Sequence, residues 1–146
     1  MSLYVDNSEE HRQKILHLLG ICQMIEFSLK LLLSRRLSYL GLDMESGKSS
    51  KHIYDKLLEV PLGKLILKLE KITDNNELLE KLRLAKKIRN ILAHQALLSC
   101  YQITSDFFQE IETPRMEFDF LLTNNKLTEC LSLISAEAQK LPSRNL

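Results

Sequence analysis

The chain has 146 residues, 45% of them apolar and 27% charged, with 20 Lys and Arg against 19 Asp and Glu and a formal net charge of +1. That length suits a single domain, taken as residues 1–146, and the composition is that of a globular protein rather than a disordered tail. The near-neutral total excludes a uniformly basic or acidic protein but hides an asymmetry: residues 48–89 hold 11 Lys and Arg against 6 Asp and Glu, whereas residues 106–137 hold 2 against 7. Opposed surface fields, or two segments that neutralise each other within one bundle, are expected.

The first ten residues carry neither the basic start nor the apolar run of a signal peptide, and no eighteen consecutive residues are apolar. Cys22, Cys100 and Cys130 are odd in number and have no metal-ligand spacing. The expectation is a cytoplasmic protein with buried free thiols and no membrane partner.

Only four glycines and three prolines occur, and Leu, Lys, Glu and Ile predominate, which favours helices. Asn7-Ser8-Glu9-Glu10 reads as a helix start with carboxylates at the positive end of the dipole. From His11 to about Leu40, Ile15, Leu18, Leu19, Cys22, Ile25, Leu29, Leu32 and Leu33 recur at helical spacing, in one long helix or two joined near Gly20. Gly47-Lys48-Ser49 echoes a phosphate-binding loop, but a Walker motif needs glycine at position 42, where Leu42 stands, and a preceding strand. Short helices are expected from Ser50 to Glu59, closed by Pro61, and from about Leu62 to Ile72. The second carries Lys64, Lys68 and Lys71 on one face, a phosphate-attracting row or simply the wet side of an amphipathic helix.

Thr73-Asp74-Asn75-Asn76 caps a helix running to about Ser99. Further on, Asp106 and Thr113-Pro114 resemble helix starts, and 116–120 alternates as a short strand does, although helix is favoured. Asn124-Asn125 opens a last helix with Leu127, Leu131, Ile134 and Ala138 on one stripe, ending near Leu141-Pro142. The fold class is therefore all-α, an up-and-down bundle of four or five main helices plus short ones.

One stretch carries more chemistry than a core requires: Lys86-Lys87-Ile88-Arg89-Asn90-Ile91-Leu92-Ala93-His94. Asn90 and His94 stand one turn apart on one face, and spacings of three and four extend that row back to Lys87 and Arg83. Arg89 points about 140° from His94, among Leu82, Ala85, Leu92 and Ala96. A guanidinium on an apolar arc needs a partner or an exit to solvent. Glu26, beside the apolar row of the first long helix, is one candidate partner; a local pair with Lys30 is the other use for that carboxylate.

The string resembles the Arg-x4-6-His signature of the HEPN superfamily, whose members often carry a small polar residue after the arginine, as Asn90 does here. The resemblance rests on this short motif and on its place in a long helix in the second half of a helical chain. It implies a bundle of four or five helices and a metal-independent endoribonuclease with a composite site at a homodimer interface. His94 is then general base or acid, Arg89 the phosphate clamp, Asn90 the positioning residue, and Arg83 and Lys87 bind the nucleic acid. Histidine suits proton transfer near neutral pH, and the arginine fork suits phosphoryl oxygens. The expected partners are a second copy, RNA, and an antitoxin or regulatory protein; no metal or cofactor is expected. Family toxins often have tyrosine two residues after the histidine, where this chain has Ala96, so regulation through that tyrosine is not expected. The alternative reading is a non-catalytic helical module that binds a protein or a nucleotide, with Arg89 as a buried structural ion.

Overall fold

The computed structural model describes residues 3–40, 50–101 and 119–140, and the side chains of 9–39, 51–97 and 119–140. The described residues form five helices and no strand: α1 (Leu3–Leu40), α2 (Ser50–Leu57), α3 (Leu62–Glu70), α4 (Asn76–Tyr101) and α5 (Phe120–Gln139). The all-α bundle expected from the sequence is what is found.

Its three long helices run up, down and up. Arg36 near the end of α1 bonds Glu137 near the end of α5, and Glu137 also takes a hydrogen bond from Asn75 just before α4. At the opposite end, Lys14 lies over the Phe120 ring and His17 packs against it. α1 and α5 are therefore parallel, with α4 antiparallel to both. The short α2 and α3 lie between the end of α1 and the start of α4 in the chain and pack against α1.

Each long helix presents an apolar row to one shared core. Ile15, Leu18, Cys22, Ile25, Leu29, Leu32 and Leu33 of α1 are buried, as the spacing predicts, and meet Leu78, Leu79, Leu82, Ala85 and Leu92 of α4 and Leu127, Cys130 and Ile134 of α5. α3 contributes Leu62, Leu65, Ile66 and Leu69. α1 is continuous through Gly20, so of the two alternatives the single long helix is found, and it is continuous through Asn7-Ser8, so the cap expected there is not realised. Residues Glu9–Tyr39 of α1 are long and apolar enough to cross a membrane by length and composition, a broader criterion than an unbroken apolar run; one side of this helix forms the bundle core.

The capping residues explain the observed boundaries. Asn75 Oδ1 accepts the Leu78 amide, capping α4 as expected, and Thr73 Oγ1 accepts the Asn75 amide. α5 begins at Phe120 rather than at Asn124, because Asp119 Oδ1 accepts the amide of Leu122. Asn124 and Asn125 lie inside the helix, where their carbonyls accept the Thr128 hydroxyl. The starts placed at Asp106 and Thr113-Pro114, most of the alternating segment 116–120, the Gly47-Lys48-Ser49 loop and the stop at Leu141-Pro142 lie outside the described residues.

Candidate functional site

α4 positions every residue of the motif. Its buried face is set by Leu78, Leu82, Ala85 and Leu92, and at 100° per residue Arg89 falls in the middle of that arc. Arg83, Lys87, Asn90 and His94 fall on the far side, and all four are exposed. The polar stripe anticipated from spacing thus exists, and the offset of Arg89 from it is real.

Arg89 is half-buried, with its Nε shielded from water and lacking a hydrogen-bond partner. No ion pair joins it to any described carboxylate. Glu26 instead approaches Lys30, one turn on, at 3.9 Å, so the cross-bundle Glu26–Arg89 pair is not formed. Cys22 of α1 lies close enough to Arg89 to feel its charge. Burial pushes the Cys22 thiol up to about 11, and the nearby Arg89 charge only partly offsets this. Cys130 of α5, buried and close enough to Cys22 to feel its charge, is pushed up to about 12, again chiefly by burial. These are inert core thiols at neutral pH.

The basic residues of α3 and α4 are brought together by two contacts. Arg83 reaches Glu70 at the end of α3 at 3.4 Å. Lys86 Nζ lies so close to Gly63 that a Cβ there would sit 2.9 Å from it. α3 therefore lies along the first half of the polar stripe. Lys64, Lys68 and Lys71 are all exposed and face away from Leu62, Leu65 and Leu69, on the solvent side of α3. Arg83 is partly neutralised by Glu70. Lys86, which sequence reasoning did not assign, has no acidic partner among the described residues; its approach to Gly63 has no short-range signature in the sequence.

His11 and His17 lie on α1 and His52 on α2, whereas His94 stands on the exposed far side of α4. Among the described residues, no three His, Cys, Asp or Glu side chains are arranged to hold a metal ion. What the site offers is an imidazole and a carboxamide about 6 Å apart along one helix face, a cationic border, and a guanidinium whose hydrogen-bonding capacity is not used up by the fold.

Compared with protein-family models, curated proteins and solved structures, the chain has no match.

Proposed function

We propose that this chain is a HEPN-like, metal-independent endoribonuclease, acting in the cytoplasm as a homodimer, with a toxin or phage-defence role. The observation that carries the reading is Arg89: a half-buried guanidinium with an unpaired, shielded Nε and no carboxylate among the described residues. An unsatisfied buried donor costs about 1–3 kcal/mol; Arg36 Nε is likewise unpartnered, but its guanidinium is held by Glu137, and what sets Arg89 apart is that no described carboxylate holds it. A side chain turned out toward the His94 face would free that guanidinium for a substrate phosphate.

In the proposed reaction the stripe of α4 meets its equivalent in a second copy. One His94 takes the proton of a ribose 2′-hydroxyl, whose oxygen bonds to phosphorus as the bond to the 5′-oxygen breaks. The second copy's His94 returns a proton to that leaving oxygen, giving a 2′,3′-cyclic phosphate and a 5′-hydroxyl end. Arg89 holds the phosphoryl oxygens, Asn90 orients ring or substrate, and Lys87 with Arg83 binds flanking phosphates.

The test is cleavage of structured and unstructured RNAs in the presence of chelator. His94→Ala is expected to lose about 10²–10⁴-fold in rate, the usual worth of a general acid or base, while remaining folded. Unchanged cleavage by His94→Ala or Arg89→Ala would overturn the proposal. One observation favours the second reading, a non-catalytic module that binds a protein or nucleotide: Arg89 rises from the core side of α4, where its charge is felt by Cys22. That reading predicts no cleavage of any RNA by the wild-type chain.

A further inference from the structure

The charges of the described residues are not evenly matched. Arg12, Lys14, Lys30, Arg36, Lys81 and Lys140 each lie 3.9 Å or less from a carboxylate. Lys64 and Lys68 of α3 and Lys86 and Lys87 of α4 are exposed, and none of them has an ion-pair partner among the described residues. They are also neighbours. α3 meets α4 through Gly63, beside Lys86, and through Glu70, beside Arg83, so the two helices run antiparallel. Lys64 therefore lies at the level of Lys86 and Lys87, and Lys68 lies one turn along toward Arg83. At 100° per residue, Lys64, Lys68 and Lys87 stand on the sides of their helices turned from the core. Helices laid side by side on one core share that side, and Lys86 fills the join. With about 6 Å between Lys64 and Lys68 along α3 and about 8–10 Å between the axes of packed helices, the ammonium groups form one patch. Nearby carboxylates do not cancel it: Glu70 is held by Arg83 at 3.4 Å. Asp74, Glu77 and Glu80 gather at the joint between the helices, where exposed Lys71 offsets part of their charge.

We infer that this patch is a nucleic-acid backbone site, a clamp for RNA phosphates that reads no base. Unpaired cations gathered on one surface attract an anionic partner, and the rest of the patch says which. No Phe, Tyr or Trp occurs in α3 or in residues 76–97 of α4, so neither helix sets an aromatic ring among these lysines for bases to stack on. Lysines contact phosphates as point charges, and such contacts carry no sequence information. Protein interfaces are rich in aromatic residues and poor in Lys, which is the reverse of this surface. A helix that lies on anionic lipid needs an outward apolar face, whereas α3 buries Leu62, Leu65, Ile66 and Leu69 and leaves only Leu67 outside.

The inference deepens the ribonuclease reading and rests on it for the use made of the bound strand. Lys87 is about 10 Å from His94 along α4, so a strand held across α3 and α4 continues to that imidazole. Binding itself needs neither His94 nor Arg89. Selectivity for a cleavage position then comes from the surroundings of His94 and not from this patch.

The probe is a labelled 2′-O-methyl oligouridylate of about 20 nucleotides, longer than the roughly 4–16 that one small domain covers; it lacks the hydroxyl that the proposed cleavage consumes. Fluorescence anisotropy of the full chain is expected to show log K falling with log salt at a slope of about −3, which is about −0.7 for each of four phosphates on a single strand. The matching oligoadenylate is expected to bind alike. Lys64→Gln with Lys68→Gln reduces the slope to about −1.4 and weakens binding about 10–100-fold at about 50 mM salt. Lys51→Gln with Lys126→Gln, the same change of net charge on α2 and α5, leaves the slope in place. Equal losses from the two pairs overturn the inference, since net charge alone then holds the strand. Binding that ignores the α3 pair but is lost on Lys87→Gln with Arg83→Gln also overturns it, confining the strand to α4 and leaving the ribonuclease reading intact. Failure to bind either probe overturns it too; phosphatidylserine vesicle binding or salt-sensitive self-association that the α3 pair abolishes would then name a lipid surface or a second copy as the occupant. Binding as expected by a wild-type chain that cleaves no unmodified RNA upholds the inference and defeats the ribonuclease reading.

Discussion

Replacing Glu137 by alanine removes the acceptor on which three segments converge. The carboxylate is 5% exposed, although it lies in the last turn of α5, and takes hydrogen bonds from Arg36 Nη2 at 2.9 Å, Asn75 Nδ2 at 2.8 Å and Lys140 Nζ at 3.3 Å. Breaking a buried ion pair by deleting one partner costs about 3–5 kcal/mol. Here the cost is smaller, because Arg36 is 18% exposed and Lys140 is 66% exposed, so water takes up part of the stranded charge. A loss of about 2–4 kcal/mol is expected, mostly from the Arg36 and Asn75 arms, since an exposed lysine contributes about 0–1 kcal/mol. Urea unfolding followed by circular dichroism measures it, and a loss below about 1 kcal/mol would refute the reasoning, as that is the worth of one ordinary hydrogen bond. The pH dependence gives a second reading. Burial raises the Glu137 pKa, but the hydrogen bonds from Asn75 and Lys140 and the charges of Lys140 and Arg36 together outweigh it, and the net direction is down. A carboxylate depressed on folding adds stability that is complete above its unfolded pKa and lost as pH falls through the folded one. The wild type therefore weakens below the ordinary carboxylate range, and Glu137→Gln, measured from pH 7 to pH 2, flattens that acid limb.

Arg89→Met keeps an unbranched stem, two atoms shorter, and removes the unpaired donor, so thermal unfolding is expected to show no loss of stability, or a gain of about 1 kcal/mol; a loss above about 3 kcal/mol would mean that the guanidinium is a structural ion after all. Cys22 and Cys130, raised to about 11 and about 12 by burial, are expected to resist iodoacetamide at pH 8 until denaturant is added, with peptide mapping to separate them from Cys100. Labelling of either in the native protein would contradict the packing. Gly63→Ala displaces only the far end of the Lys86 side chain and adds a better helix former, so a gain of about 0.5–1 kcal/mol is expected in chemical unfolding; destabilisation would show that the approach of Lys86 to Gly63 is itself stabilising.

The parts of the fold legible in the sequence are those set by local periodicity. The core row of α1 follows from spacings of three and four, and the cap of α4 from a cluster of Thr, Asp and Asn. The start of α5 was misplaced because Asn124-Asn125 has the composition of a cap, while one aspartate, Asp119, makes the bond that decides. Long-range polar contacts had no signature. Arg36 and Asn75 lie 101 and 62 residues from Glu137, and nothing in the last helix pattern marks that glutamate as buried. At the site, the stripe from Arg83 to His94 and the offset of Arg89 followed from helix geometry alone. The surroundings of Arg89 did not, because they are chosen by the register between α1 and α4. That register brings Cys22 within reach of the Arg89 charge and leaves Glu26 to Lys30.

The proposed contact between copies through the polar face of α4 is isologous, so like charges meet across its axis. Bringing two cationic α4 stripes together is opposed at low ionic strength and is favoured by screening or by an RNA strand between them. Light scattering across ionic strength, with and without RNA, is therefore expected to show a dimer that is promoted by salt or by RNA. A dimer that forms in low salt without RNA and dissociates as salt is added would mean that the α4 stripes attract rather than repel, and the electrostatic basis of the composite site would be wrong.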